Sequence, residues 1–259
     1  MTTEATLGEL SLRSGSTAVR RRPLARYAIE LRKLVDTRSA RAVLAVTLGQ
    51  PVVALVLSAA TQPWPTLTVP GLARDAAGLV ASVLPLLAVL TVAGEWRQRT
   101  VLVSFALDPN RTAVLAAKCL ALLTVVVAAA GLTVVGAWLT GRILGGQPTA
   151  AMELLVVFGW IVLALGAMAL VGVGLAGMLL NVPLAMVIYL VAPQLVPQLV
   201  AQVAPVAAAA PYLDVVGLVF GLLHGSLPEN LLACGSALLV WIVIPLVIGA
   251  ARFARSDVS

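Results

Sequence analysis

Charged residues are scarce in this chain, and that scarcity excludes most protein classes. Asp, Glu, Lys and Arg make up 11% of the 259 residues, against about 25% in an average soluble domain. Hydrophobic residues make up 61%, and the mean hydropathy is +1.04. A soluble fold of this length could not cover its exterior with so few charges. The composition therefore excludes a cytoplasmic enzyme and predicts an integral membrane protein.

Cysteine and histidine, which build disulfide frameworks and many metal sites, are nearly absent. Cys119 and Cys234 both lie inside apolar stretches, and His224 is the only histidine. The sequence therefore predicts no disulfide framework. It also contains no cluster with metal-ligand spacing and no nucleophile–base arrangement, so we predict neither a catalytic residue nor a metal site on this chain.

Long apolar stretches are abundant instead. About 20 apolar residues cross a bilayer as a helix, and no series of alternating ten-residue strands suggests a barrel. We therefore predict an all-α integral membrane fold with six transmembrane helices within residues 42–251. A tight turn, Asn181-Val182-Pro183, separates the fourth span from the fifth. The predicted spans are residues 42–60, 76–94, 113–140, 154–180, 183–204 and 231–251.

The segments before and after these spans are more polar. Residues 1–22 show no periodic pattern and are predicted to form a disordered cytoplasmic tail. Because they contain no signal-peptide core, we expect the amino terminus to be retained. Residues 23–41 carry an apolar stripe at helical spacing, which predicts an amphipathic elbow helix in the lipid headgroup layer. Residues 252–259 form a second predicted cytoplasmic tail.

Basic residues are strongly segregated along the chain. The net charge of +6 would suggest nucleic acid in a soluble protein, but here the Lys and Arg residues flank the spans. With a cytoplasmic amino terminus, fifteen of the seventeen lie inside, and only Arg74 and Arg142 lie outside. This bias predicts that both termini are cytoplasmic, with lipid head groups rather than nucleic acid as partners.

One internal cytoplasmic loop is long enough to contact a soluble partner. Residues 95–112 contain a short amphipathic stretch that Asp108-Pro109-Asn110 interrupts. This pattern predicts a short helix and a turn at the membrane surface, held between the second and third spans. Such a helix could transmit a push to both spans, although a simple solvated loop would have a similar composition.

The order of these features resembles the permease subunit of type 2 ABC transporters. The resemblance rests on the elbow segment from Glu30 to Arg38, Gly94-Glu95-Trp-Arg-Gln-Arg-Thr100, Pro109 with Arg111, and Lys118. It also includes the six spans and a long outer segment before the last one. The elbow residues that we single out are Glu30, Arg32, Lys33 and Arg38.

The resemblance implies that residues 95–112 form a coupling helix that docks on a cytoplasmic ABC ATPase, present in two copies. ATP and Mg²⁺ would bind that partner, because neither lysine of this chain stands in a Walker A motif. A second six-helix permease, identical or related, would complete the transporter in a bacterial plasma membrane. The residues placed at the coupling contact are Glu95, Trp96, Arg97, Arg99, Thr100, Asp108, Pro109, Arg111 and Lys118.

The predicted fifth span carries an unusual polar stripe. Gln194, Gln198 and Gln202 recur every four residues and so share one face of a helix. Amide side chains within a membrane either bond to neighbouring helices or line a wetted path. The resemblance implies that the second and fifth spans face the central path, so both interpretations stay open.

The outer segment, residues 205–230, is apolar but broken by prolines. Its continuous part is too short to span, which predicts an outer re-entrant or interfacial helix. The resemblance implies an external gate there. Gly217, Gly221 and Gly225 recur every four residues, which predicts close helix packing. Asp214 and His224 would lie near the outer surface, either as a proton relay or as ordinary polar contacts.

The leading hypothesis is therefore the membrane subunit of an ABC exporter for a lipophilic or amphipathic substrate, such as a drug, lipid or metabolite. An importer-type Glu-Ala-Ala loop is absent from the sequence. An ATP-independent six-helix transporter or channel is the alternative, but the spans place no carboxylate at a midplane. A membrane anchor for a soluble partner would use the same cytoplasmic loop.

Overall fold

The chain folds into helices throughout the part that the computed structural model describes, residues 23–61, 68–97, 111–145, 148–226 and 230–255. No strand occurs among these residues. The predicted all-α fold is therefore confirmed. The helices are α1 (Pro23–Asp36), α2 (Arg38–Thr61), α3 (Val69–Arg97), α4 (Arg111–Ile143), α5 (Ala151–Leu179), α6 (Val182–Gln202), α7 (Val215–Leu223), α8 (Leu231–Leu238) and α9 (Ile244–Arg255).

Six helical segments of the described part of the chain are long and apolar enough to cross a membrane, as predicted. They are α2 to α6 and the continuous segment formed by α8, a π turn at Leu239–Val243, and α9. The second span begins at Val69, seven residues before the predicted start. Arg74 and Asp75 lower the hydropathy there without interrupting the helix. The chain is thus a multi-pass membrane protein.

A bend at Thr37 separates α1 from the first span. The sequence placed the whole of residues 23–41 in one elbow helix, but α1 ends at Asp36 and α2 begins at Arg38. The Thr37 hydroxyl accepts a hydrogen bond from the Ala40 amide at 3.3 Å. A threonine before a helix satisfies one of its unpaired amides in this way, so a cap inside the predicted elbow begins the next helix.

The second span α3 and the fourth span α5 form the centre of the bundle. In the most apolar part of each span, 61% of residues are buried in α3, against 22% in α2 and in α6. A Cβ atom on Gly172 of α5 would lie 2.6 Å from the Pro85 carbonyl oxygen of α3. The two backbones therefore approach too closely for any side chain, a contact that small residues allow in membranes.

The last span packs against the opposite side of α5 in a similar way. A Cβ atom on Gly174 would lie 3.0 Å from the Cβ of Pro245, and one on Gly249 would lie 3.0 Å from the carbonyl carbon of Gly177. The glycines of α5 thus let two other spans approach its backbone. The fourth span therefore packs between the second span and the sixth span.

A tyrosine joins the fifth span to the second at a proline. Pro85 has no amide hydrogen, so the Ala81 carbonyl, four residues earlier, loses its helical partner. The hydroxyl of Tyr189 lies 3.1 Å from the carbonyl oxygens of both Ala81 and Ser82 and donates there. Because a membrane interior offers no water to unpaired carbonyls, this side chain stabilises α3 where Pro85 interrupts its hydrogen bonds.

The outer segment folds back onto the bundle. It contains a 3-10 helix, Ala207–Leu213, followed by α7, which at nine residues is about 13 Å long and too short to span. The last span holds it in place, since the Trp241 indole donates to the Leu213 carbonyl at 2.7 Å. The buried side of α7 packs mainly against α5.

Candidate functional site

A groove lies between the fifth span and the outer helix. Its volume is about 270 Å³, and it opens to the outside of the chain. Amide side chains of α6 lie there beside a carboxylate and an aromatic side chain at α7. The lining residues are Gln194, Pro197, Gln198, Asp214, Val216, Gly217 and Phe220.

The three glutamines of α6 share an exposed face, as their spacing predicts. Gln194, Gln198 and Gln202 are all exposed, next to the exposed apolar side chains of Leu195 and Leu199. Among the described residues, none hydrogen-bonds to these three amides. The stripe therefore does not join helices within the described chain. Amides facing hydrocarbon without partners are unfavourable, so water or a second chain must cover this face.

Asp214 closes the start of α7 and contributes a negative charge to the groove. Its Oδ1 atom accepts a hydrogen bond from the Gly217 amide at 2.7 Å, which caps the helix. A Cβ atom on Gly217 would overlap the same carboxylate. Glycine at this position therefore lets the carboxylate fold over the first turn. No basic side chain of the described residues pairs with Asp214.

The three glycines of the α7 repeat have different surroundings. Gly217 is exposed, and a Cβ atom on Gly221 would meet only Ser226, at 3.5 Å. Gly225 has φ +72°, which ends the helix in a left-handed turn. A Cβ atom on Gly225 would also lie 3.4 Å from Trp160 Nε1 of α5, so this glycine packs against the fourth span. The role of the repeat at an external gate stays a prediction. Still closer contacts between spans occur at Gly172, Gly174 and Gly177, in the run Gly-Val-Gly-Leu-Ala-Gly of the fourth span, which a search for clustered small residues would have found.

Asp214 and His224 stand at opposite ends of α7. Ten residues of helix separate them by about 15 Å, and His224 Nδ1 lies 2.7 Å from the Phe220 carbonyl of its own helix. The geometry therefore does not support a direct proton relay between the two. The contact of His224 with the Phe220 carbonyl is an ordinary polar contact, which is the other interpretation offered by the sequence.

A second cluster of predicted residues comes together on the predicted cytoplasmic side. The Lys118 ammonium lies 2.7 Å from Glu30 Oε2 and 3.3 Å from the Thr91 carbonyl oxygen. Lys33 binds the other Glu30 oxygen at 2.8 Å. Glu30 and Lys118 are only 7% and 2% exposed. The cluster thus joins α1, the end of α3 and the start of α4.

Lys118 is buried within the chain. The resemblance placed it among the ATPase-coupling residues as the anchor of the third span at the interface, and its ammonium is enclosed among helices of this chain. It can position α1 against the third span, and a hydrogen bond between Tyr27 and Thr124, at 2.7 Å, strengthens the same junction. Arg32 and Arg38, the other elbow residues singled out above, are exposed.

Most of the predicted coupling segment lies outside the described residues. Glu95, Trp96 and Arg97 are the last residues of α3 and Arg111 is the first of α4, but only their backbone is described. Arg99, Thr100, Asp108 and Pro109 fall outside the described ranges altogether. The docking role of this segment stays a prediction.

Comparison with known proteins adds no relative. No protein-family model matches the chain, and no curated protein matches it. The six spans are consistent with the membrane subunit of a transporter.

Proposed function

We propose that this chain is the permease subunit of an ATP-binding-cassette exporter and forms half of its translocation path. The observation that carries the proposal is the exposed amide face of α6 beside the polar groove. A structural membrane helix would turn such residues inward. An exposed amide stripe is instead expected where the surface meets water or another subunit.

The groove also lies where a path would be expected. A Cβ atom on Gly78 of the second span would lie 3.8 Å from the ring of Phe220, which lines the groove. The second span, the fifth span and the outer helix therefore border one region. In the resembled family the second and fifth spans face the central path and the outer helix forms an external gate, and a second six-helix permease, a copy or a related chain, would enclose the path from the other side.

The buried Glu30–Lys118 pair supports the coupling part of the proposal. Lys118 contacts the Thr91 carbonyl near the described end of α3 and the Glu30 carboxylate of α1. The two spans that flank residues 98–110 are thereby joined to the amino-terminal helix. A push on that segment would move the three helices together rather than bend one of them.

In the proposed complex, two copies of a cytoplasmic ABC ATPase bind ATP and Mg²⁺ and dock on residues 95–112. Their closure would alternate access to the central path and export a lipophilic or amphipathic substrate. The complex would lie in a bacterial plasma membrane with both termini in the cytoplasm. The charge bias of the loops supports this orientation.

Affinity purification from the native membrane in mild detergent tests the ATPase partnership. We expect mass spectrometry to find an ABC ATPase with the wild-type chain and to find it lost after Glu95→Arg or Arg97→Glu. Asp36→Arg and Arg41→Glu are matched controls, because they reverse exposed charges on the same predicted side outside the loop. Recovery of no ATPase, under conditions that preserve other ABC complexes, would favour an ATP-independent transporter or an anchor.

A further inference from the structure

We propose that the groove between α6 and α7 binds the cationic head group of an amphipathic molecule, with Asp214 as the counter-charge. This inference names a substrate class and so rests on the proposed transport function. The binding itself requires only the groove. It can therefore be measured in the absence of any ATPase.

The charge of the groove is negative and is not neutralised within the described chain. Asp214 lines it, and the described basic residues on the same predicted side lie elsewhere. Arg74 lies near Gly225, eleven residues and about 16 Å along α7 from Asp214. The Arg142 guanidinium lies 5.9 Å from the ring centre of Trp138. A cation that enters the groove therefore meets a carboxylate that the cap hydrogen bond partly stabilises but that no described basic side chain pairs with.

An aromatic ring lies within reach of the same cation. Phe220 is six residues after Asp214, which corresponds to a rise of about 9 Å, and helical side chains lean toward the amino terminus. The ring is 50% exposed, so part of it can face a ligand. Because Asp214 and Phe220 line the same groove, a head group held there can approach the ring in the way that alkylammonium groups bind aromatic faces, at roughly 6 Å.

The rest of the groove suits a head group attached to an apolar tail. Gln194 and Gln198 line the groove together with residues of α7, and an amide side chain can turn its carbonyl oxygen toward a cationic head group. The volume of about 270 Å³ falls below the range of about 300–1,000 Å³ that is usual for whole drug-sized ligands. A head group fits inside it, while the tail can lie over the exposed Leu195 and Leu199.

The simplest competing explanation is that Asp214 only caps α7. Asparagine caps a helix as well as aspartate does, so Asp214→Asn removes the charge and preserves the cap. Glu153→Gln is the matched control. It removes another exposed carboxylate, from the first turn of α5 on the same predicted side, which does not line the groove.

The test measures binding of radiolabelled decyltrimethylammonium, at micromolar concentration, to the full chain in phosphatidylcholine nanodiscs. We expect binding above empty nanodiscs, a dissociation constant raised about fivefold by Asp214→Asn and about threefold by Phe220→Leu. Glu153→Gln should leave it unchanged. Decyl sulfate, which has the same tail and an anionic head, should not compete.

Three results would overturn the cation site: no binding above empty nanodiscs, equal binding by Asp214→Asn at unchanged thermal stability, or competition by decyl sulfate. Failure of the ABC proposal would look different. If the chain binds the cation through Asp214 but no ATPase is recovered with it, the cation site is supported and the ATP-driven mechanism is refuted. If an ATPase is recovered but no cation binds, the mechanism is supported and the cation site is refuted.

Discussion

Removing one partner of the buried Glu30–Lys118 pair should strongly destabilise the chain. Lys118→Met leaves the Glu30 carboxylate, which is 7% exposed, without its 2.7 Å partner. Breaking a buried ion pair from one side usually costs about 3–5 kcal/mol. Lys33 still contacts Glu30, so we expect a loss near the lower end, about 3 kcal/mol. The measurement is the free energy of unfolding in mixed detergent micelles, followed by tryptophan fluorescence.

The double variant and a control make this reasoning refutable. Glu30→Gln with Lys118→Met removes both charges, so its loss should be smaller than the sum of the single losses by about 2 kcal/mol. Lys33→Met is the control. Lys33 is 38% exposed, and its pairing should contribute less than about 1 kcal/mol. A loss of unfolding free energy in the double variant equal to the sum of the two single losses would refute the claim that this buried pair joins three helices. A loss in Lys33→Met as large as that in Lys118→Met would refute it as well.

Three further predictions follow from the packing and the exposed amides. Tyr189→Phe removes the donor to two α3 carbonyls and should lower the free energy of unfolding by about 0.5–2 kcal/mol; no loss in the same unfolding assay would contradict that role. Gly172→Ala should cost about 1–3 kcal/mol through overpacking, whereas Gly166→Ala, which has no atom within 4 Å of the new Cβ, should be neutral. Gln198→Leu should reduce ATP-driven uptake of substrate into inverted vesicles without changing assembly, and unchanged uptake by a variant with all three glutamines replaced would remove the path-lining role.

The spans could be predicted from sequence because each depends only on a local property. About 20 consecutive apolar residues suffice for a bilayer-spanning helix whatever surrounds them. The start of the second span was predicted seven residues too late, because Arg74 and Asp75 lower the average hydropathy of its first two turns. The shared face of Gln194, Gln198 and Gln202 follows from helical spacing alone, and the structure places all three on the exposed side of α6.

Contacts between distant residues could not be predicted in this way. Glu30 and Lys118 were each singled out, but 88 residues separate them, and no local pattern joins an elbow helix to the third span. The glycines of the chain show the same limit. A repeat of four residues is compatible with packing, capping or a turn, and only the tertiary structure distinguishes Gly172 in a tight crossing from Gly225 in a helix end.

In the proposed transporter, the amide face of α6 borders a water-filled path. Thiol labelling measures whether water reaches this face, in a chain whose Cys119 and Cys234 are replaced by alanine. Single cysteines at the positions of Gln194 and Gln198 are compared with cysteines at the adjacent Leu195 and Leu199. We expect a membrane-impermeant maleimide to label the glutamine positions and spare the leucine positions. Equal labelling of both sets, or no labelling of the glutamine positions, would contradict it.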